Sequence, residues 1–177
     1  MIDATGGKGA FVAIGLALMA HSVAADAPVV QTPSPVIYLA DNLDEADQLG
    51  WCIDTLGRGF GETLQAHSCK PQGGDVQFAL EAAPGLIRSV AFPDHCMEVL
   101  SDADATFGLM PCAPDDPQQH FTYNATTQAI SPANDAELCV SVGADSRSAG
   151  PFMSRDLLLT RCIDTDPIYR SWVIADE

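Results

Sequence analysis

Six cysteines recur at a regular interval, and that interval limits what this chain of 177 residues can fold into. Cys52 and Cys69 are 17 residues apart, Cys96 and Cys112 are 16 apart, and Cys139 and Cys162 are 23 apart. The first members of the pairs follow one another at 44 and 43 residues. A period of that length marks an array of similar structural units. Zinc would need two close CxxC-like pairs, and none is present. Six cysteines allow fifteen pairings, and the repeat selects the local ones: Cys52–Cys69, Cys96–Cys112 and Cys139–Cys162.

The residues around each cysteine repeat as well. The first half of each unit reads Trp51-Cys52-Ile53-Asp54, His95-Cys96-Met97-Glu98 and Leu138-Cys139-Val140-Ser141, with an apolar residue after every cysteine. The second half reads TLQAHSC, TFGLMPC and DLLLTRC, ending at Cys69, Cys112 and Cys162. Nine or ten residues further on stand Phe78, Phe121 and Trp172, each opening a short alternating run. Runs of this kind, separated by clusters of Gly, Pro, Asp and Asn such as KPQGGD and SPANDAE, are short strands joined by turns. No segment after residue 30 carries the pattern of a long amphipathic helix. The expected fold is all-β. A unit of about 43 residues cannot bury its apolar face alone, so three units are expected to close a barrel about a pseudo-threefold axis. Phe78, Phe121 and Trp172 are the expected central layer.

The N-terminus sets the compartment. Lys8 precedes an uncharged apolar run of 11 residues, Ala10 to Ala20, followed by small residues suited to cleavage after Ala24 or Ala25. This is the pattern of a secretory signal peptide, and the run falls short of the roughly 20 residues that span a bilayer. The expected organisation is a signal peptide over 1–25, a linker over 26–35 and one domain over 36–177, secreted or periplasmic. An oxidising compartment agrees with the cysteine count. The formal charge of −16 opposes any partner that is bound by neutralising phosphate, so nucleic acid is excluded, and with the short apolar run cleaved no membrane span is expected in the mature chain. With 47% hydrophobic residues, the acid is carried on a folded body.

The threefold Cys-x-Asp-like element, the LQxxxC element and the Gln-x-aromatic element ending the units resemble the ricin B-type lectins, a family of β-trefoil carbohydrate-binding domains. The resemblance covers residues 36–176 and is closest in the first unit, WCIDTLGRGFGETLQAHSCKPQGGDVQF. It implies a β-trefoil with intra-unit disulfides, a glycan or polysaccharide as the partner, no cofactor and no catalytic residues. It also implies a site in the first unit. Asp54 is the carboxylate that accepts from two sugar hydroxyls, Gln65 and His67 precede Cys69 by four and two, His67 is the stacking platform, and Asp75 stands at the position of one more polar contact. Val76 replaces the family's glutamine, which is intact only in Gln119-His120-Phe121. The second unit has Glu98, Gly108 and Met110 at the site positions, and the third has Ser141 and Thr160, so neither offers a platform.

Plainer roles stand beside these. Asp54, near Gly57 and Gly59, could cap a turn, Gln65 could satisfy a buried backbone group, and His67 could be an ordinary strand residue. The His67-Ser68-Cys69 run is no nucleophilic centre, because neighbours on a strand face opposite ways and Cys69 is needed for a bridge. Acidic runs such as DNLDEAD and SDADA lack EF-hand spacing and read as solvated surface. The competing expectation is a trefoil that has lost sugar binding and docks a protein partner instead.

Overall fold

The computed structural model describes residue 1 and residues 26–43, 45–101 and 106–176. The apolar run and the expected cleavage site lie outside the described residues. Those described form fourteen short antiparallel strands and three single-turn helical segments. The first unit contributes β1 (Val36–Leu39), β2 (Trp51–Thr55), β3 (Leu64–Ser68) and β4 (Phe78–Leu80). The second contributes β5 (Ile87–Ser89), β6 (His95–Ser101), β7 (Thr106–Pro111) and β8 (Phe121–Asn124). The third has β9 (Ala129–Pro132) and β10 (Leu138–Val142), then β11 (Arg147–Ala149), β12 (Phe152–Arg155), β13 (Leu157–Arg161) and β14 (Trp172–Ala175).

The three units share one cross-strand register. Cys52 lies opposite His67, Cys96 opposite Met110 and Cys139 opposite Thr160. Two residues on, Asp54 faces Gln65, Glu98 faces Gly108 and Ser141 faces Leu158. Each pair of cysteines is bridged within its own unit. Because side chains alternate along a strand, the residue after each first cysteine points the other way, and Ile53, Met97 and Val140 are all fully buried in one core. Phe78, Phe121 and Trp172 are buried in that core, one from each unit, together with Trp51 and Phe107. Each tryptophan N–H is satisfied by a carbonyl, Trp51 by Asn42 and Trp172 by Val140. One glycine is obligatory where the β4–β5 turn packs on the start of β8. Gly85 has φ +96°, and a Cβ there would collide with the Phe121 carbonyl oxygen.

Residues 26–35, the expected linker, are tied to the body. Val29 donates to the Gln48 carbonyl, Thr32 to the Lys70 carbonyl, and Gln77 to the carbonyl of Pro33, while Val30 packs on the first disulfide. β1 pairs with β14, from Val36 opposite Ala175 to Leu39 opposite Trp172, which joins the first unit to the last.

The third unit departs from the other two. Its longer cysteine spacing accommodates a β11–β12 hairpin, and this hairpin leaves its own unit to extend the sheet of the first: β12 pairs with β3, Ser154 opposite His67 and Arg155 opposite Ala66. Two further ties hold it. The Met153 amide donates to Ser68 Oγ at 3.1 Å, and that hydroxyl donates to Asp47. Arg155 is 5% exposed, lies 4.6 Å over the Trp51 ring, pairs with Glu45 at 2.7 Å and donates to the carbonyls of Gly143 and Ala144. Arg155→Ala is expected to lower stability by about 2–3 kcal/mol, from one charge-assisted bond and the cation–π contact. Urea unfolding measures the loss, and hydrogen exchange on residues 147–155 should show the hairpin loosening before the rest.

Candidate functional site

The docked hairpin turns the outer face of the first unit into the wall of a cleft of about 590 Å³. Period-two alternation decides which side chains enter it. Ile53 and Ala66 point to the core, so Asp54, Gln65 and His67 point away from it, and the register places Phe152, Ser154 and Arg147 on the same side. Gln65, His67 and Asp75 line the cleft, joined by Lys70, Phe152 and Arg147.

The structure changes the part that Asp54 can play. Expected to face a ligand, it has no exposed surface, and Lys70 covers it. The ammonium lies 3.0 Å from Asp54 Oδ2 and 2.8 Å from Asp75 Oδ1, bridging the two carboxylates. Only the contact to Asp75 has hydrogen-bond alignment, so neither oxygen of the buried Asp54 accepts a directed hydrogen bond from the described residues. Burial pushes the Asp54 carboxyl above its ordinary pKa, against the opposing pull of Lys70. Burial also works to lower Lys70, but its hydrogen bond to Asp75 and its attraction to Asp54 outweigh this and hold the ammonium above its ordinary value.

The other three residues also take specific places. His67 is 5% exposed, with Nδ1 3.0 Å from the Ser68 carbonyl. A proton on Nδ1 satisfies that carbonyl and leaves Nε2 as an acceptor. The imidazole meets Phe152 edge to face at 5.6 Å, so the broad apolar surface at the cleft is the half-buried Phe152 ring with His67 as its support. Gln65 donates to the Thr55 carbonyl at 3.3 Å, bracing β3 against β2. Asp75 keeps part of its carboxylate open to the cleft. Val76 is buried on the disulfide, and its neighbour Gln77 reaches the Gly74 amide and the Pro33 carbonyl.

The equivalent positions elsewhere are filled from within. In the second unit Gln119 donates to Glu98 at 2.8 Å and accepts from the Ala113 amide, while Leu100 occupies the space over Gly108. In the third, Ser141 and Thr160 bond each other at 2.9 Å. Only the first unit combines a fully buried carboxylate with an open cleft among the described residues. Sequence reasoning missed Lys70, Phe152 and Arg147. The signal for the last two was the 23-residue third spacing, six beyond that of the first unit.

The family described as the ricin-type beta-trefoil lectin domain matches residues 43–167. No curated protein matches the sequence. Among solved structures, the C-half of an earthworm R-type lectin in complex with GalNAc superposes with a TM-score of 0.58 at 14% identity, over 81% of this chain and 99% of that one. The beta-trefoil lectin of the Vibrio vulnificus hemolysin/cytolysin, with N-acetyl-D-lactosamine bound, gives 0.55 at 14% identity, over 80% and 93%. GalNAc-T7 with UDP, GalNAc and Mn2+ gives 0.52 at 16% identity over 76% of this chain, which spans only 21% of that protein's length. At these identities the superpositions establish the fold.

Proposed function

The chain belongs to the ricin-type beta-trefoil lectin domain family, a family of carbohydrate-binding domains, and from that premise we propose that it is an exported lectin, freed of residues 1–25, that binds a glycan at a single site in its first unit. The observation that carries this reading is the contrast between units. Burying a carboxylate is costly, and the other units avoid that cost: Gln119 bonds the half-buried Glu98 in the second, and Ser141, bonded to Thr160, stands in place of an acid in the third. The first keeps its acid beneath Lys70 at the floor of a cleft that has room for a sugar.

Lys70 stands across Asp54 and Asp75 as a pair of sugar hydroxyls would. Asp54 contributes by fixing that ammonium or, when Lys70 swings out, by accepting from the hydroxyls itself. Asp75 and Gln65 supply further polar contacts, and the His67–Phe152 pair supplies the surface for the C–H face of a pyranose. The site binds without catalysis.

A few exposed hydrogen bonds, each contributing about 0.5–1.5 kcal/mol, and one stacked face sum to a dissociation constant of roughly 0.1–1 mM. Calorimetric titration with galactose- and xylose-containing oligosaccharides should give a stoichiometry near one. Asp54→Asn should abolish the signal, and His67→Ala should weaken it. Binding that persists in Asp54→Asn, or a stoichiometry near three, contradicts the site; an absence of binding to any glycan points to a protein partner instead.

A further inference from the structure

The acid excess of the molecule is absent around the cleft. Acids outnumber Lys and Arg by 24 to 8 in the chain, yet Arg58, Lys70 and Arg147 line the cleft with the single acid Asp75, and even with Asp54 buried under Lys70 and Asp156 beside Arg147 the two signs balance there. The 310 Å³ cavity between the second and third units has no basic residue in its lining, its one charged lining residue being Asp135. Arg58, on the exposed loop after β2, has no ion-pair partner among the described residues. Arg147 is paired at 2.7 Å with Asp156 through one Nη1 donor, which leaves most of its five N–H groups uncommitted. Arg147, Ser154 and His67 form one row across adjacent strands, which places Arg147 about 10 Å from His67, two strand spacings away.

We infer that the glycan bound here carries an anionic group, a carboxylate or a sulfate, received by Arg147 and Arg58 while its ring lies against Phe152. This inference rests on the reading of the cleft as a sugar site and adds the chemical class of the sugar. Guanidinium groups bind planar carboxylate and tetrahedral sulfate through paired N–H donors, whereas a neutral hydroxyl gives them no charge to meet. The net charge of the protein does not forbid an acidic ligand. Exposed charges beyond about 8 Å are largely screened at physiological salt, so the residues in contact dominate. The hairpin that brings Arg147 and Phe152 is the same insertion that sets the third unit apart, and it makes the specificity of the first unit depend on the third.

The test is an array bearing neutral, uronate-containing, sialylated and sulfated glycans, probed with the wild-type protein, Arg147→Gln and Arg58→Gln. The expected result is a preference of roughly tenfold or more for acidic glycans, lost in either variant. Preference within the acidic set then identifies carboxylate or sulfate. Both arginines are exposed, and circular dichroism with intact disulfides confirms that the variants fold. Equal binding of neutral and acidic glycans, or an acidic preference that survives in both variants, overturns the inference while leaving the sugar site standing. An array with no bound glycan overturns both.

Discussion

Reduction of the three disulfides is expected to unfold the protein or bring it to the edge of unfolding at room temperature. Each bridge closes a loop of 16 to 23 residues. In the chain-entropy account, removing such a closure costs about 3 kcal/mol, and three together approach the 5–15 kcal/mol by which a domain of this size is stable. The denaturant midpoint should fall sharply in a strong thiol reductant. An unchanged midpoint with six confirmed free thiols would show that the core alone suffices. Burial also sets the order of loss. Cys52 and Cys69 are both fully buried, whereas Cys112 and Cys162 are half-buried, so the second and third bridges should yield first under limiting reductant. Peptide mapping of partly reduced protein reads that order directly.

The second large effect concerns Lys70. Replacing it with methionine leaves the buried Asp54 with no cation bridging it to Asp75, and breaking a buried pair in this way typically costs about 3–5 kcal/mol. The sign of the pH dependence follows from Asp54. Its folded pKa lies above the ordinary carboxyl value, so the folded state holds that proton more tightly than the unfolded chain does. Through this group, stability therefore falls as pH rises from the ordinary range near 4 through the raised folded value, and it is recovered on acidification. Lys70→Met removes the charge that opposes the shift, so the window should extend to higher pH and the loss should be greatest at neutrality. Urea midpoints for wild type and variant between pH 4 and 8 should converge toward the acidic end. A further change of Asp54 to Asn should restore most of the loss at pH 7, giving a large coupling in the double-mutant cycle. Parallel curves, or no rescue, would mean that Asp54 does not depend on Lys70.

What was legible in the sequence was what repeats locally. The cysteine period located three units, the alternation after Phe78, Phe121 and Trp172 located strands β4, β8 and β14, and the pairings within units follow from both. Within the site, Gln65, His67 and Asp75 line the cleft. The burial of Asp54 under Lys70 was not legible, because no pattern near residue 70 shows which carboxylates a lysine will bridge. Nor was the part of Phe152 in the cleft. That depends on Ser154 pairing with His67, a register between distant strands that leaves only an unexplained lengthening of one cysteine interval.

The pairing of β1 with β14 bears on how the molecule comes to be built. The sheet cannot be completed until Trp172 to Ala175 are available to meet Val36 to Leu39, so β1, whose other neighbour is the nearby β2, gains its second partner only when nearly the whole domain has been synthesised. Contacts between segments so distant in the chain form slowly, because the loop entropy must be lost before the contact stabilises anything. The pairs within each unit need no such wait, since β2 with β3 and β6 with β7 are consecutive along the chain and β10 and β13 are separated only by the β11–β12 hairpin. Each can be sealed by its own bridge as it emerges, leaving the last strand to complete a chain already divided into three locked pieces.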